Sequence, residues 1–475
     1  MAASVIKQNP IFNVLPVGQE VIFVVSNDTA VNNEQKVKFV AKVHISSATP
    51  NPSTTTDLIG TFKTTPNNAG VGIFDFRNVI ENYVKADNLS YYTDDFASTY
   101  KGATTNAVRR FLVHTVDKYS LNFNCVRYLG IEFSVEYLGA EDAAGNQNDN
   151  VVRIQDGTEK NSDIYKLFNG YLNPDDVLEI NGASGNFGYN LDAFNLTDST
   201  KSFLTNAPIT QYANDGDYGT LPILAEDESA LPSYIKIIYY DSDGSTISTA
   251  DTIDNDNTNA GTSVINSSDD NLLFIGCFPG NLQNWSTNYV AAKSAGLAYY
   301  TVTAHNSANA AISQTYTINV NCPDDKNFES IRLCWLNKWG AWDYYTFTKK
   351  SVRKLTTKGT TYTQLHGTWN AATYSIDSFK GGKKTFRVNA TESITINTDC
   401  IPEGENIMFE EMINSPEIYM LEGYKEDLPG AMLNEYITPV RLKTSSFTRK
   451  TIANDRIIQY TFEIEKTKTL RTQAV

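Results

Sequence analysis

The sequence predicts a mainly β protein, built as a chain of β-sandwich or immunoglobulin-like modules with a few short helices. Three observations lead there. Several runs alternate apolar and polar residues, as in Ile131-Glu-Phe-Ser-Val-Glu-Tyr, which is the period of a half-buried strand. Charged residues make up 20% of the chain, below the usual share. Asn, Thr and Ser fill the gap beside 27 Tyr and 23 Phe, a composition suited to strands and to surfaces that meet other surfaces. Clusters of Gly, Asn and Asp punctuate the runs as turns do. The 475 residues correspond to roughly three or four domains, and a hydrophobic share of 41% is enough to fill their cores.

The first segment, residues 1–140, opens with Glu20-Val-Ile-Phe-Val-Val-Ser and Val37-Lys-Phe-Val-Ala-Lys-Val-His-Ile on either side of an Asn-rich stretch, which reads as a hairpin. Within Gly72-Ile-Phe-Asp-Phe-Arg-Asn-Val-Ile-Glu-Asn-Tyr-Val, residues Phe76, Val79, Ile80 and Tyr83 recur at helical spacing. The spacing predicts a helix near 75–85 with Asp75 as its cap. Strands at Val108–Val116 and Ile131–Tyr137 close the segment. Residues 141–230 form an acidic Gly/Asn/Asp-rich domain or insertion with a thin core.

Residues 231–322 read as a small immunoglobulin-like β-sandwich: Tyr234–Tyr240, a turn at Asp241-Ser-Asp-Gly, then runs at Leu272–Cys277, Leu297–Ala304 and Thr315–Val320. The intervals are irregular, and no Cys-Trp-Cys spacing marks a true member. The C-terminal segment, 323–475, is a β domain with a Trp-rich hairpin over 331–347, turning around Asn337–Gly340. A helix is expected near 402–414, with Pro402 close to its first position and Ile407, Met408 and Met412 as its apolar stripe. From Ile457 to Glu465, Ile458, Tyr460, Phe462 and Ile464 share one face of a strand, with a wet face opposite.

Charge is unevenly spread. The net of −15 conceals 23 acidic and 5 basic residues in 141–270, against 19 acidic and 21 basic in 323–475. No broad basic face is available for phosphates, so nucleic acid is not an expected partner. The five cysteines, Cys125, Cys277, Cys322, Cys334 and Cys400, are widely spaced without a CxxC pair, which indicates neither zinc nor a disulfide framework. The beginning lacks the pattern of a secretory leader, and no apolar run reaches 18 residues. The expectation is a soluble protein made in a cytoplasm, without membrane insertion.

Catalytic constellations fail on residue types. With only His44, His114, His305 and His366 there is no HExxH or other close His pair. Gly182-Ala-Ser-Gly departs from the GxSxG elbow. Gly381-Gly-Lys-Lys-Thr resembles a phosphate loop but has Asp377 where the upstream Gly belongs. Asp241-Ser-Asp-Gly and Asp254-Asn-Asp offer oxygen ligands for calcium, yet Thr252 stands where an EF-hand needs Glu, and a hairpin turn is the favoured reading. A glycosidase carboxylate pair in the acidic middle stays open. No catalytic, cofactor or metal residues are assigned.

The aromatic cluster Trp335, Trp339, Trp342, Tyr344 and Tyr345 is the candidate site: a hairpin core, a subunit interface, or a platform on which sugar rings stack. The basic run Lys349–Lys358, with Arg353 and Lys354, solvates the outer end of that hairpin or meets the acidic middle of a neighbouring copy.

Four stretches carry a resemblance: the run from Gly72 to Val84; Ser202-Phe-Leu-Thr-Asn-Ala-Pro with Asp217-Tyr-Gly-Thr-Leu; Arg332 to Phe347; and Ile458-Gln-Tyr-Thr-Phe-Glu-Ile-Glu with Arg471-Thr-Gln. Together they resemble virion structural proteins of tailed bacteriophages. The style is that of tail or baseplate-region proteins from phages of Bacteroidetes-type and marine hosts, which share a Trp-Leu-Asn-Lys-x-Gly-x-x-Asp motif. The resemblance implies a non-enzymatic building block without cofactor. It would assemble in the host cytoplasm into the virion, in several copies as a homo-oligomer beside other virion proteins. Contact with host surface glycan, as a fibre or head-decoration protein, is the alternative; a depolymerising glycosidase is the third reading. The family lends no catalytic residues.

Overall fold

The 13-residue strand Val126–Leu138 organises the first half of the chain. The structure, a computed structural model, describes residues 2–47, 50, 52, 56–86, 88–92, 109–116, 118–120, 125–172, 180–181, 186–187, 191–224, 232–254, 256–257, 262–263, 272–321, 328–369, 371–421, 437–449, 458–468 and 470–471. It is mainly β, with several separate sheets and a few short helices. The chain divides into two compact units. One comprises Met1–Gln211, Asp215–Val320 and Leu336–Asp343; the other comprises Tyr212–Asn214, Asn321–Trp335 and Tyr344–Val475.

In the first unit, Val126–Leu138 pairs antiparallel with Lys38–Ser46, from Tyr128↔Ser46 to Glu136↔Lys38. Leu58–Thr64 extends the sheet on the far side. On the near side lie Val152–Ile154, Lys160–Asn161 and Tyr165–Phe168, the last joined in parallel by Val14–Pro16. The sheet therefore crosses the boundary expected near residue 140, because the edge partners of its central strand come from 152–168. Leu129, Ile131, Phe133, Val135 and Tyr137 face inward as the alternation predicts. On the opposite face, buried Glu132 and Glu136 are answered across the strands by Lys42 at 2.6 Å and by Lys63.

The expected hairpin between Glu20–Ser26 and Val37–Ile45 does not form. The Asn-rich stretch between them is a helix, Asp28–Asn33, whose cap Asn27 accepts the Ala30 N–H at 3.1 Å. It delivers the two strands to different sheets. Ile22–Ser26 pairs instead with Val5–Gln8 and Val71–Asp75. Both strands carry an apolar face, Phe23 and Val25 on one, Phe39, Ala41 and Val43 on the other, and those faces share one core. Stacking two apolar faces removes both from water, whereas side-by-side pairing would still leave them to be covered. Phe23 lies 5.5 Å and Phe74 5.8 Å from Phe133, centroid to centroid. Gly72 permits the approach, since a Cβ there would stand 2.6 Å from the Phe39 ring.

The helix expected at 75–85 is one turn, Arg77–Ile80. Asp75 accepts the Arg77 N–H at 3.0 Å and the Val21 N–H at 3.3 Å, so it ties the helix start to a neighbouring strand. Phe76 and Ile80 are buried, while Tyr83 is exposed. The predicted start at Val108 lies outside the described residues; the strand there is Arg109–Leu112.

Further along the same unit, Tyr316–Asn321, Tyr299–His305, Tyr234–Tyr240 and Asp251–Asp254 lie side by side and antiparallel. The run at 272–276 belongs to another sheet, between Thr220–Leu224 and Tyr119–Ser120. Two consecutive helices, Pro279–Trp285 and Thr287–Ser294, interrupt the strands of 231–322. Their start signals are Pro279 in the first turn and Ser286, which accepts the Tyr289 N–H at 2.8 Å. Buried Asp251 gathers the second helix onto the sheet, accepting from Tyr239 Oη and Asn288 Nδ2 at 2.6 Å each and from Ser286 Oγ.

Among the described residues of this unit one turn recurs five times, at Asn67, Asp142, Asp241, Asn306 and Asn337. Each of these side chains accepts the backbone N–H groups two and four residues on. In each, the residue three positions on is left-handed: Gly70, Gly145, Gly244, Asn309 or Gly340, with φ between 60° and 80°. The Asx side chain imitates a backbone carbonyl, and the fourth residue must tolerate positive φ. This turn accounts for part of the chain's wealth of Asn, Asp and Gly. In Asp142 the two N–H bonds, with Arg153 at 3.1 Å, hold the carboxyl below its ordinary range.

The second unit is built on a sheet ordered Trp342–Phe347, Ile331–Leu336, Ile418–Leu421, Ile437–Leu442, Thr461–Lys466, Gly382–Asn397 and Val352–Gln364, with Leu470–Arg471 also beside Gly382–Asn397. Ile458, Tyr460, Phe462 and Ile464 are buried as expected; Ile457, the predicted first residue of that strand, lies outside the described residues. A turn of 3-10 helix, Glu403–Glu405, leads into the helix Asn406–Asn414. Its buried stripe is Met408, Phe409 and Met412, whereas Ile407 points to solvent. The helix phase sets this difference: Phe409 meets Phe462 and Tyr345 at 5.7 and 5.0 Å, which turns Ile407 outward.

Glu405 at this junction is buried, and burial pushes its carboxyl up to about 7 from 4.5. The fold therefore favours the protonated acid. That contribution is complete below about pH 4.5 and is lost as pH rises through about 7. Between pH 5 and 8 the unit is expected to lose about 2 kcal/mol, and Glu405→Gln to flatten the loss. Urea midpoints across this range check it; an equal pH slope in both proteins would contradict the assignment.

Candidate functional site

The 331–347 hairpin forms, with its turn at Asn337–Gly340. Its strands end in the second unit, while the tip, Leu336–Asp343, belongs to the first. Trp335 and Trp342 are fully buried, and Trp339 and Tyr344 nearly so. Buried rings have no face to offer a pyranose, so the structure corrects the platform and interface readings for these four. They are core because strands this aromatic bury far more apolar area inward than they can share at a surface. Tyr345 is half-buried, edge-on to Phe347 at 4.8 Å, with its hydroxyl accepting the Asp399 N–H at 3.2 Å.

The tip is held by polar groups as well as rings. Asn337 Oδ1 accepts the Trp339 and Ala341 N–H groups at 3.0 Å each. Its Nδ2 donates at 3.2 Å to the Leu204 carbonyl and to Asp343 Oδ1. Thr205 Oγ1 donates to the same Asp343 oxygen at 2.5 Å. On the other side the Tyr171 N–H reaches the Lys338 carbonyl at 2.9 Å. Trp339 packs edge-on to Phe194 at 5.2 Å and Trp342 to His114 at 5.1 Å. Trp-Leu-Asn-Lys-x-Gly-x-x-Asp is thus an architectural motif: Asn337 shapes the turn, Gly340 supplies positive φ, and Asp343 binds the turn to Ser202–Asn206. Asn337, Asp343 and Thr205 are missed when only aromatics are counted, though two of them stand in the motif.

In the second unit Arg332 crosses the hairpin, donating to Thr346 Oγ1 at 2.7 Å and lying 5.2 Å from the Tyr344 ring. Of the Lys349–Lys358 run, Lys349 and Lys350 follow the hairpin's second strand, while Val352–Lys358 begins another strand, Val352–Gln364, which pairs over its whole length with Gly382–Asn397. Arg353 is bound at its root by Glu329, at 3.0 Å from Nε, and by Glu392 at 2.7 Å. Both carboxyls are held below their ordinary range by that guanidinium. Beyond this root the two strands project as a ribbon that no motif announced. The phosphate-loop look-alike Gly381-Gly-Lys-Lys-Thr leads out of the ribbon's tip into the return strand, which starts at Gly382, with Gly381 and Gly382 at φ 92° and 79°.

Asp241-Ser-Asp-Gly is a turn: Asp241 Oδ1 accepts the Asp243 and Ser245 N–H groups at 3.0 and 2.8 Å. Among the described residues no cluster of three or more His, Cys, Asp or Glu is placed to hold a metal ion. Gly182-Ala-Ser-Gly, Asn255 and Cys322 lie outside the described residues. Burial pushes the Cys277 and Cys334 thiols well up, the opposite of what a nucleophile requires. No helix among the described residues is long and apolar enough to cross a membrane. No protein-family model matches the chain, and no curated protein does either.

Proposed function

We propose that this chain is a structural protein of a tailed phage virion, in the tail or baseplate region, which acts by assembling in several copies with other virion proteins. The resemblance of its motifs suggests the setting. The observation that carries the reading is the kind of surface the chain offers: a projecting ribbon with exposed aromatic residues, on a body whose most distinctive motif is spent on holding a turn in place. Exposed apolar side chains gathered in one place mark a surface suited to contact with another protein. The second unit ties the ribbon's root with Glu329, Arg353 and Glu392, which fixes where the ribbon leaves the sheet.

Antibody labelling of intact, negatively stained particles tests the reading. Label at the tail or its tip is the expected result. Label on the head would move the protein to a decoration or fibre role, and absence of the protein from purified particles by mass spectrometry would overturn the virion reading. A host-glycan-binding fibre or head-decoration protein is the second reading. It would now rest on the exposed rings Trp369 and Tyr374, 5.0 Å apart, rather than on the buried hairpin.

A further inference from the structure

The ribbon concentrates the chain's unpartnered apolar surface. Of the 21 exposed large apolar side chains among the described residues, eight lie between Val352 and Phe386. The root of the ribbon is flanked by a third strand, Thr461–Lys466, which pairs with residues 393–397. From Thr360↔Arg387 to Gln364↔Gly382 the only strand pairing among the described residues is that of the two strands with each other. Five residues of strand carry the tip roughly 17 Å outward. A lone two-stranded ribbon is marginal in water.

Its tip is nonetheless well built. Thr368 bonds across the loop to Thr373 and Ser375 at 3.0 Å, and Lys380 pairs with Asp377 at 2.7 Å. Gly367 lies under the Tyr374 ring and Gly381 against His366, both with positive φ. This loop holds Leu365, Trp369, Tyr374, Ile376 and Phe379 outward at 53–71% exposure.

We propose that this ribbon is a docking arm that seats on the described acidic residues of the 141–270 region in a second copy of the chain. The proposal rests on the assembly reading and names the contact that would carry it. Charge complementarity selects the occupant. Residues 357–387 hold five basic side chains and one acidic, while the described residues of 141–270 hold 15 acidic and 5 basic. Asp149, Asp198 and Asp243 are exposed there. Arm and acceptor are different surfaces, so the contact is either exchanged reciprocally in a closed dimer or repeated head-to-tail into a ring or filament.

The outer strand carries Arg353, Lys354 and Lys358, as natural edges do to discourage strand addition, which leaves the tip and the charges to make the contact. Trp369, Tyr374 and Phe379, side chains of on the order of 150–250 Å² each that are 53–71% exposed, can supply about half of the ~800 Å² per partner of a standard interface.

The test uses the full chain, mixed as unlabelled and ¹⁵N-labelled protein and coupled with a zero-length carbodiimide. Mixed-isotope links from Lys358, Lys383 or Lys384 to carboxylates of 141–270 are expected. Sedimentation velocity should show association that weakens between about 50 and 500 mM salt, as screening requires. It should weaken at least ~100-fold in a Trp369→Ser/Tyr374→Ser/Phe379→Ser variant, whose thermal melting stays that of the wild type because the three rings are already exposed.

Links that fall elsewhere, or association unchanged in the variant, would overturn the arm while leaving the assembly reading intact. So would a chain that stays monomeric yet is found in virions, or a variant that associates normally and loses adsorption to host cells. Absence from virions together with no self-association would remove both.

Discussion

Gly340→Ala is expected to unfold the region around the hairpin tip, with a loss above about 4 kcal/mol. Positive φ alone costs an alanine only about 1–2 kcal/mol. The remainder comes from space. A methyl at Gly340 would overlap the Asn169 carbonyl oxygen and stand 2.6 Å from its carbon. That oxygen is backbone, and the chain beside it is fixed: the Tyr171 N–H donates to the Lys338 carbonyl, and the Gly170 carbonyl accepts the Gly18 N–H at 2.8 Å. The chain supplies its own control. Gly145 occupies the same place in the same turn, at φ 79° against 72°, with nothing within 4 Å of its would-be Cβ. Gly145→Ala should therefore cost only about 1 kcal/mol. Urea unfolding followed by Trp fluorescence reads both variants. Equal midpoints would show that Gly340 is needed for its dihedral angles and not for its close approach.

The turns of this kind also show what is legible in the sequence. Asp241-Ser-Asp-Gly and Asn337–Gly340 are readable as turns because Asx and Gly fall three residues apart between apolar runs. The helix Asp28–Asn33 was not readable as one. Its Asn and Thr content speaks for a turn, and only the capping bond from Asn27 and burial of Ala30 decide otherwise. Strand faces were legible wherever alternation was clean, at Ile131–Tyr137 and Ile458–Ile464. Strand partners were not, since partner choice depends on which faces stack, as with Phe23 and Phe39. The ribbon escaped notice for a related reason: Thr-rich, basic and exposed on both faces, Val352–Gln364 has no buried face to print a period on the sequence. For the candidate site, the hairpin and its turn were visible. The polar residues that hold it, Asn337, Asp343 and Thr205, only acquire a role once Leu204 and Thr205 arrive from more than 130 positions away.

Whether the Trp cluster is core or contact surface is decided by where its loss is felt. Trp335 and Trp342 are each fully buried, and truncating a buried Trp to Ala costs about 3–5 kcal/mol in lost transfer energy and cavity. Trp342→Ala removes the ring that packs edge-on to His114, so its damage is expected around residues 112–116 of the first unit. Trp335→Ala empties a position in the strand paired through Trp335↔Ile418, so its damage is expected in the sheet of the second. Limited proteolysis with mass spectrometry separates the two by the segment that becomes cleavable first, and urea midpoints give the size. The double variant is expected not to fold. As contact residues the rings would behave differently: each Ala variant would keep the wild-type midpoint and cleavage pattern and lose only association. The fully buried indoles argue for the first outcome, and Trp369→Ser on the ribbon, exposed at 64%, is the matched substitution expected to give the second.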